Sequence, residues 1–398
     1  MEKIVGRYCK DCVVYSDTLE EEARSIIYSF VNHPMFEGSA IRIMPDVHAG
    51  KDIVVGFTAP FYNSVNPDHI GGDIGCTVST VITRMPINPD NYAELESKIR
   101  LEVKFGLTSQ EHSRFKEQEF YAHLNKRLQE AHQAWGEYVN KVDVNERTMV
   151  KLLERVEMDA ATFYHQIGTV GSGNHFVEIG VTPEGNYAIT VHCGSRNFGQ
   201  KVWKYWHTIA HNPSYNHPAV GYLAAEPMKG YITDMVIAQA YAEYNHKIIH
   251  RLIGEAFMAV EGRYDVEEQI VTTHNYIDFK NRMMRKGAVA SIEGEKLVIP
   301  FNMRDGLIIC SGKSNPEWNC SAPHGAGRLM SRAMAKELID LEEYKASMEG
   351  IYSTSVRVGT IDESPMAYKD PMEILEAIRD TVDVLYFVKP VVNMKSCN

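Results

Sequence analysis

Four short stretches of the chain end an apolar or glycine-rich run on a side chain able to bind a metal. GGDIGC carries Asp73 and Cys76; GNHFVE carries His175 beside Asn174 and Glu178; VHCGSR carries His192 with Arg196; TTHNY carries His274 with Asn275. Glycines next to such residues let backbone come close to a ligand. Three imidazoles, a carboxylate and a thiolate make a pocket for one or two divalent ions. Imidazole and thiolate suit zinc, and carboxylate oxygen also suits manganese. A thiolate can bridge two ions, so one cysteine is enough. Each piece alone is weak, because a lone buried histidine is usually a hydrogen-bonded core residue. Repetition of the pattern at four ends is what favours a metal site.

A second kind of chemistry stands in NCSAPHGAGRLMSR, residues 319–332. His324 lies beside a Gly-Ala-Gly turn, and a helix is expected from Gly327 to Met348 with Arg328, Arg332 and Lys336 near its start. Free N–H groups at a helix N-terminus attract phosphate, and arginines add charge-assisted hydrogen bonds. Cations in a first turn oppose the helix dipole unless an anion binds there. A neutral imidazole in line with a phosphorus is a nucleophile that can carry a nucleotidyl group. The local sequence leaves this role and that of a histidine capping a turn equally open.

Other pairs compete on spacing. HTIAH (His207, His211) and HKIIH (His246, His250) each set two imidazoles one helical turn apart. The zinc-protease motif needs a glutamate after the first histidine, where Thr208 and Lys247 stand. Both pairs read as solvated or packed helix faces. Cys9 and Cys12 have redox or metal spacing, but no second pair follows, and they read as structural.

Elements must carry these residues to one place. Thr18 to Glu21 reads as a capping box before a helix, and IRIMPDVHAG as a short strand ending at Pro45. DIVVGFTAP and GCTVSTVITRMP are rich in β-branched residues and read as strands. A polar helical region follows at about 91–164. YAITVHCGSR, EQIVTTHNY and the two halves of KLVIPFNMRDGLIICSG read as further strands. A long helix is expected from Ile232 to Val260, and a short one from Pro371 to Asp383 closes the chain. Strands and helices alternate without a βαβ rhythm. This favours one large α+β domain over residues 1–398, with mixed sheets flanked by helices and the helical region as an insertion.

Composition narrows the class. The chain has 398 residues, 44% of them hydrophobic, and a net charge of −11. That balance argues against a non-specific nucleic-acid coat but permits a local basic cleft. Seven scattered cysteines do not form a disulfide framework, and no apolar run approaches a membrane span. A cytoplasmic protein is the expectation.

The ordered set MPDVHAGKD, GGDIGC, GSGNHFVE, VHCGSR, HNY, RKGA and SAPHGAGRLMSR resembles the RtcB family of RNA ligases, from about Met44 to Lys395. The resemblance implies joining of an RNA 3′-phosphate or 2′,3′-cyclic phosphate end to a 5′-hydroxyl end, dependent on GTP and manganese. His324 would attack GTP and carry GMP, with Asp46 orienting the imidazole. One manganese would be held by Asp73, Cys76 and His175, the other by Cys76, His192 and His274; zinc or cobalt would suit the same donors. Asn174, Phe176, Glu178, Asn275, Ala326 and Gly327 fall where the family contacts the nucleotide. Glu178 is suited to the guanine N1–H and amino group, and Lys395 to O6. Arg196, Arg328 and Arg332 are candidates for phosphates of GTP or RNA. An activating protein partner, and a role in RNA repair or tRNA splicing, also follow from the resemblance.

The chain departs from the family at IPFNMRDGL, where many members carry serines that contact the nucleotide; Asn302 stands near one serine position and Leu307 near another. Cys193 replaces a common serine. These departures imply a divergent branch, with repair the favoured role. A dinuclear metal phosphoesterase using the same pocket, with no covalent histidine, is the alternative.

Overall fold

The structure, a computed structural model, describes residues 1–50, 52–212 and 221–397. Period-two alternation explains how the site is assembled. The larger sheet orders its strands Val266–Thr273, Thr77–Pro86, Asn186–Cys193, Phe176–Val181, Val382–Met394, Gly306–Gly312 and Lys296–Asn302, each antiparallel to its neighbours. The sheet curls until its edges meet, where the Val298 N–H donates to Thr272 Oγ1 at 2.9 Å. Val78, Ile82, Ala188, Ile270, Val298, Leu307, Ile309 and Val388 pack together on the concave face. Two-residue steps along the same strands carry that face to Cys76, Phe176, Glu178, His192 and His274 at one end of the curl.

The opposite face carries Val177, Ile179, Ile189 and Val191, which join the main core with the helix Ala225–Glu261. Every residue of that helix from Tyr231 to Ala242 is buried, Thr233, Asp234 and Gln239 among them, so the helix runs through the core with no solvent face there. The helices Tyr92–Glu102, Glu117–Trp135 and Arg196–Ala210 pack against it. A second, mixed sheet runs Glu2–Ile4, Asp11–Val14, Ala40–His48, Val55–Pro60, Met283–Lys286 and Tyr276–Asp278, with its parallel pair between the second and third strands. It delivers Asp46. The fold is α+β, built around a cleft between these sheets.

Several local expectations change. The helix near Thr18 starts at Glu21, and its N-cap is Glu20 with no side-chain cap. Thr18 instead belongs to a turn in which Ser16 Oγ donates to its carbonyl at 2.8 Å. The strand expected to stop at Pro45 continues to His48, because Pro45 falls in a register irregularity between Ile43 and His48 where no ladder N–H is needed.

The helix expected over Gly327 to Met348 is two short ones, Arg332–Leu338 and Leu341–Ser347, the second capped by Asp340. Residues 327–329 run beside 367–369 instead: the Leu329 N–H donates to Ala367 O at 2.9 Å and the Lys369 N–H to Gly327 O at 3.1 Å. No helix N-terminus therefore stands beside His324. At the C-terminus the helix is only Pro371–Ala377, and the 13-residue strand Val382–Met394 enters the middle of the large sheet.

Candidate active site

The metal-competent side chains converge. Cys76 Sγ lies 3.2 Å from His192 Nε2 and 3.5 Å from His175 Nε2. His175 Nε2 is 2.9 Å from Asp73 Oδ2, and His192 Nε2 is 3.3 Å from His274 Nε2. Backbone bonds hold the group, with the His274 N–H on Cys76 O at 2.8 Å and the Gly75 N–H on Asn275 O at 2.9 Å. The His192 Nδ1–H donates to Asn174 O at 3.2 Å, so its Nε2 lone pair faces the cluster. A side chain on Gly194 would lie 2.2 Å from Asp73 Oδ1, and one on Gly171 would lie 2.0 Å from His175 Nδ1. Those glycines let the ligand-bearing turns close.

This donor set fits divalent ions. Around an ion with bonds of about 2.0–2.3 Å, neighbouring donors stand about 3.3–3.6 Å apart, close to the spacings around Cys76. Burial holds His192 and His274 far below their ordinary pKa, and their neighbouring imidazoles add to the effect, so both offer lone pairs. Burial, then the Asp73 carboxylate, pushes the Cys76 thiol well up. A cation arriving there displaces the thiol proton. Burial would raise Asp73, but His175 outweighs it and brings the carboxyl to about 2.

His324 follows the short strand Ser321–Pro323, which pairs with Ala288–Ala290. Its Nδ1 lies 2.6 Å from Oδ2 of the fully buried Asp46. With Nδ1–H donating, Nε2 carries the free lone pair. The His324 and His274 rings are 4.8 Å apart. Gly327, at φ +75°, explains the Gly-Ala-Gly turn: a Cβ there would stand 2.6 Å from the Asp46 carbonyl oxygen. The glycine lets the loop close onto the residue that orients the histidine.

A cavity of about 650 Å³ joins these groups, lined by Asp73, Cys76, His192, His274 and His324 on one side and by Asn174, Phe176, Glu178 and Lys395 on another. That volume suits a nucleotide-sized ligand. Asn393 Nδ2 donates to Glu178 Oε2 at 2.8 Å. Burial raises the Glu178 carboxyl to about 8, against the Asn393 bond and Lys395. Lys395 Nζ pairs with Glu363 at 2.9 Å and lies 5.4 Å from the centre of the Phe176 ring.

Asn275, Asn302, Ala326, Gly327, Arg328 and Arg332 also line the cavity. Several already have work. Asn275 bridges Asp73 O (3.2 Å) and the Gly287 N–H (2.8 Å), from a left-handed φ of +61°. Asn302 closes the tight turn before Gly306, accepting from the Arg304 and Asp305 N–H groups at 3.0 Å. Arg328 donates to Asp362 O at 2.6 Å, and Arg332 pairs with Asp362 at 2.6 Å and with Glu363. Arg196 is turned away from the cavity lining: its guanidinium donates to Thr169 Oγ1 at 3.0 Å and Gly106 O at 2.6 Å. It reads as a brace for the Gly-rich turn rather than a phosphate ligand.

The sequence reading passed over Asn393, Glu363, His48 and Lys286, all in the cavity wall. Asn393 was legible, since it sits two residues before Lys395 at the end of a strand. Glu363 and Lys286 belong to stretches whose partners are remote in the chain. Cys9 and Cys12 are buried free thiols.

A family model described as "tRNA-splicing ligase RtcB" matches residues 28–396. The "RNA-splicing ligase RtcB" of Escherichia coli is 28% identical, with 95% of each chain covered. The "tRNA-splicing ligase RtcB" of Pyrobaculum aerophilum is 28% identical over 84% of this chain and 83% of its own. That of Aeropyrum pernix is 27% identical over 82% of each. The match spans the larger sheet, the second sheet from Ala40 onward and every group in the cavity wall named above: this chain belongs to the RtcB family.

Proposed function

We propose that this protein is an RNA ligase that joins a 3′-phosphate or 2′,3′-cyclic phosphate end to a 5′-hydroxyl end, using GTP and a covalent His324–GMP intermediate. The observation that carries the reading is the His324–Asp46 pair, 2.6 Å apart, in the wall of the cavity that also holds the Cys76 cluster. A phosphoesterase without a covalent intermediate could use such a histidine only as a general acid or base, so dependence on GTP separates the two readings.

In this reading the His324 Nε2 lone pair attacks the α-phosphorus of GTP, and pyrophosphate leaves. The Nδ1–H stays on Asp46, whose carboxylate balances the positive charge that the ring gains. An oxygen of the RNA 3′-phosphate then attacks the same phosphorus, and the P–N bond breaks to return the imidazole. Attack by the 5′-hydroxyl on the activated RNA phosphate expels GMP. A cyclic end is first opened by hydrolysis to the 3′-phosphate. Asp73, Cys76 and His175 would hold one manganese, and Cys76, His192 and His274 the other, with Cys76 shared. Such ions supply charge for the triphosphate and a lowered pKa for an attacking hydroxyl. Glu178 accepts from the guanine N1–H and amino group, and Lys395 donates to O6. Arg328 and Arg332 lie within reach of phosphates once their acidic partners release them.

The whole chain serves as one catalytic domain, its helical region at 91–164 packed behind the sheet. Cytoplasmic RNA repair or tRNA splicing is the proposed setting, with an activating protein for turnover. Among the described residues no helix is long and apolar enough to cross a membrane. The test is a gel assay with two RNA fragments, one ending in 3′-phosphate and one beginning with 5′-hydroxyl, with manganese. A joined product that requires GTP and is lost in His324→Ala is the expected result. Release of inorganic phosphate without GTP and without joining would establish the phosphoesterase instead.

A further inference from the structure

A second group of metal donors stands apart from the Cys76 cluster and shares none of its residues. Asp52 comes from the loop before the strand Val55–Pro60, Asp68 from the short 3-10 helix Pro67–His69, His207 from the last turn of the helix Arg196–Ala210 and His211 from its C-cap. One carboxylate oxygen or ring nitrogen from each of the four lies within 4.8 Å of the others. Sequence spacing alone made the two histidines a helix face; the fold brings two carboxylates to them.

The details favour a cation between these groups. The His211 Nδ1–H donates to His207 O at 3.0 Å, which leaves the Nε2 lone pair facing Asp68 Oδ2 at 3.8 Å. That gap is too long for a hydrogen bond, and Nε2 facing a carboxylate calls for positive charge between them, which a proton on the ring or a cation shared by all four donors supplies. Asp68 is 1% exposed, and the Trp203 Nε1–H fixes its Oδ1 at 2.8 Å. Support of a ligand by a second hydrogen bond is the usual pattern behind metal sites. His207 Nδ1 lies 3.0 Å from Oδ2 and 3.1 Å from Oδ1 of the same carboxylate. The nearby Lys286 ammonium donates to the backbone carbonyls of Asp68 (2.9 Å) and Ile53 (3.5 Å), and its charge acts on the Asp68 and Asp52 carboxylates from outside the four donors.

We propose that Asp52, Asp68, His207 and His211 bind one first-row divalent transition ion, of the zinc or cobalt type. Two imidazoles select such an ion over calcium or magnesium, and the absence of thiolate sets the site apart from the one around Cys76. Donors about 3.3 Å apart surround a tetrahedral ion, so small side-chain movements complete the shell. The ion would tie the loop that leads from Asp68 to Asp73 onto the helix Arg196–Ala210. It would also put positive charge in the cavity wall, which Asp68 lines. The inference stands independently of the ligase reading.

The test is cobalt and zinc binding to the full chain in a Cys76→Ser background, which removes thiolate-to-cobalt charge transfer. Visible cobalt bands should appear without that near-ultraviolet absorption. His207→Ala with His211→Ala, added to that background, should lose one equivalent of zinc by equilibrium dialysis and elemental analysis. Asp52→Asn, a change at an exposed loop residue that leaves the core untouched, should weaken this equivalent about tenfold or more, as losing a ligand must at least match losing an outer-shell partner. It decides the matter if the histidine variant fails to fold. Equal zinc stoichiometry and affinity in parent and Asp52→Asn chains would overturn the proposal and leave a proton-mediated His207–Asp68 ion pair.

Discussion

The two faces of the curled sheet hold buried histidines in opposite states. On the convex face, Ser79 lies 2.7 Å from both His246 Nδ1 and His250 Nε2, and His246 Nε2 lies 2.8 Å from Cys193 O. These contacts form one consistent chain. The His250 N–H donates to the Ser79 oxygen, the Ser79 O–H to His246 Nδ1, and the His246 Nε2–H to the carbonyl. On the concave face, His192 and His274 point nitrogens at each other 3.3 Å apart with a thiol between them and His175. Protons can serve these contacts only pair by pair, His274 Nε2–H to His192 Nε2 and His175 Nε2–H to Asp73, whereas one cation engages imidazole, thiolate and carboxylate donors together. The well-spaced pair on one helix thus reads as structural, and the dispersed set from four strand ends as the candidate site. The company each pair keeps, rather than spacing, separates them: a hydroxyl and a carbonyl on the convex face, a thiol, a carboxylate and a third imidazole on the concave one.

The largest effect should come from the concave side. Cys76→Ala or His192→Ala should abolish ion binding at the Cys76 cluster and lower ligation about 10³-fold or more, since metal assistance supplies several kcal/mol to such a reaction. Melting in the absence of metal should barely change. A variant that kept wild-type activity would break the contrast between the faces. Ser79→Ala should do the reverse. Removing the hydroxyl leaves two buried imidazoles short of a partner and should destabilise the fold by about 1–3 kcal/mol in denaturant titration, with activity per folded molecule unchanged.

Acid titration sharpens the comparison further. Burial holds His246 down at about 4, against an ordinary value of 6.5. The unfolded chain therefore takes up a proton that the folded one refuses, and stability falls as pH drops from 6.5 toward 4. His246→Gln should flatten that part of the stability–pH curve.

Glu178 gives the smallest of these effects, on the nucleotide side of the concave face. Its carboxyl sits at about 8, and guanine needs it ionised. GTP affinity should rise with pH by up to about tenfold per unit below pH 8 and then level off. Glu178→Gln should remove this dependence and the preference for GTP over ATP, as measured by calorimetry.

Much of this was legible in the chain. Cys76 precedes, and His192 and His274 follow, β-branched runs whose period puts one face inward, so their convergence could be read. Asp46 and His324, 278 positions apart, were paired only through the family resemblance. Other features depend on contacts that no local pattern encodes. The strand Val382–Met394 sits between Phe176–Val181 and Gly306–Gly312, far earlier in sequence. The stretch after Gly327 has good helix formers, yet its first residues pair with 367–369 because Gly327 packs on the Asp46 backbone. Arg196 looked like a phosphate ligand by type, but Thr169 and Gly106 claim its donors.

The covalent histidine is the central claim, and label transfer tests it most directly. The protein is incubated with manganese and GTP labelled at the α-phosphate, and protein-bound label is tested for acid lability and alkali stability, the behaviour of a phosphoramidate. The unmutated chain should carry such label, Asp46→Asn should acquire it about 10²-fold more slowly, and His324→Ala should carry none. No label on the unmutated chain, or equal label on His324→Ala, would contradict the account.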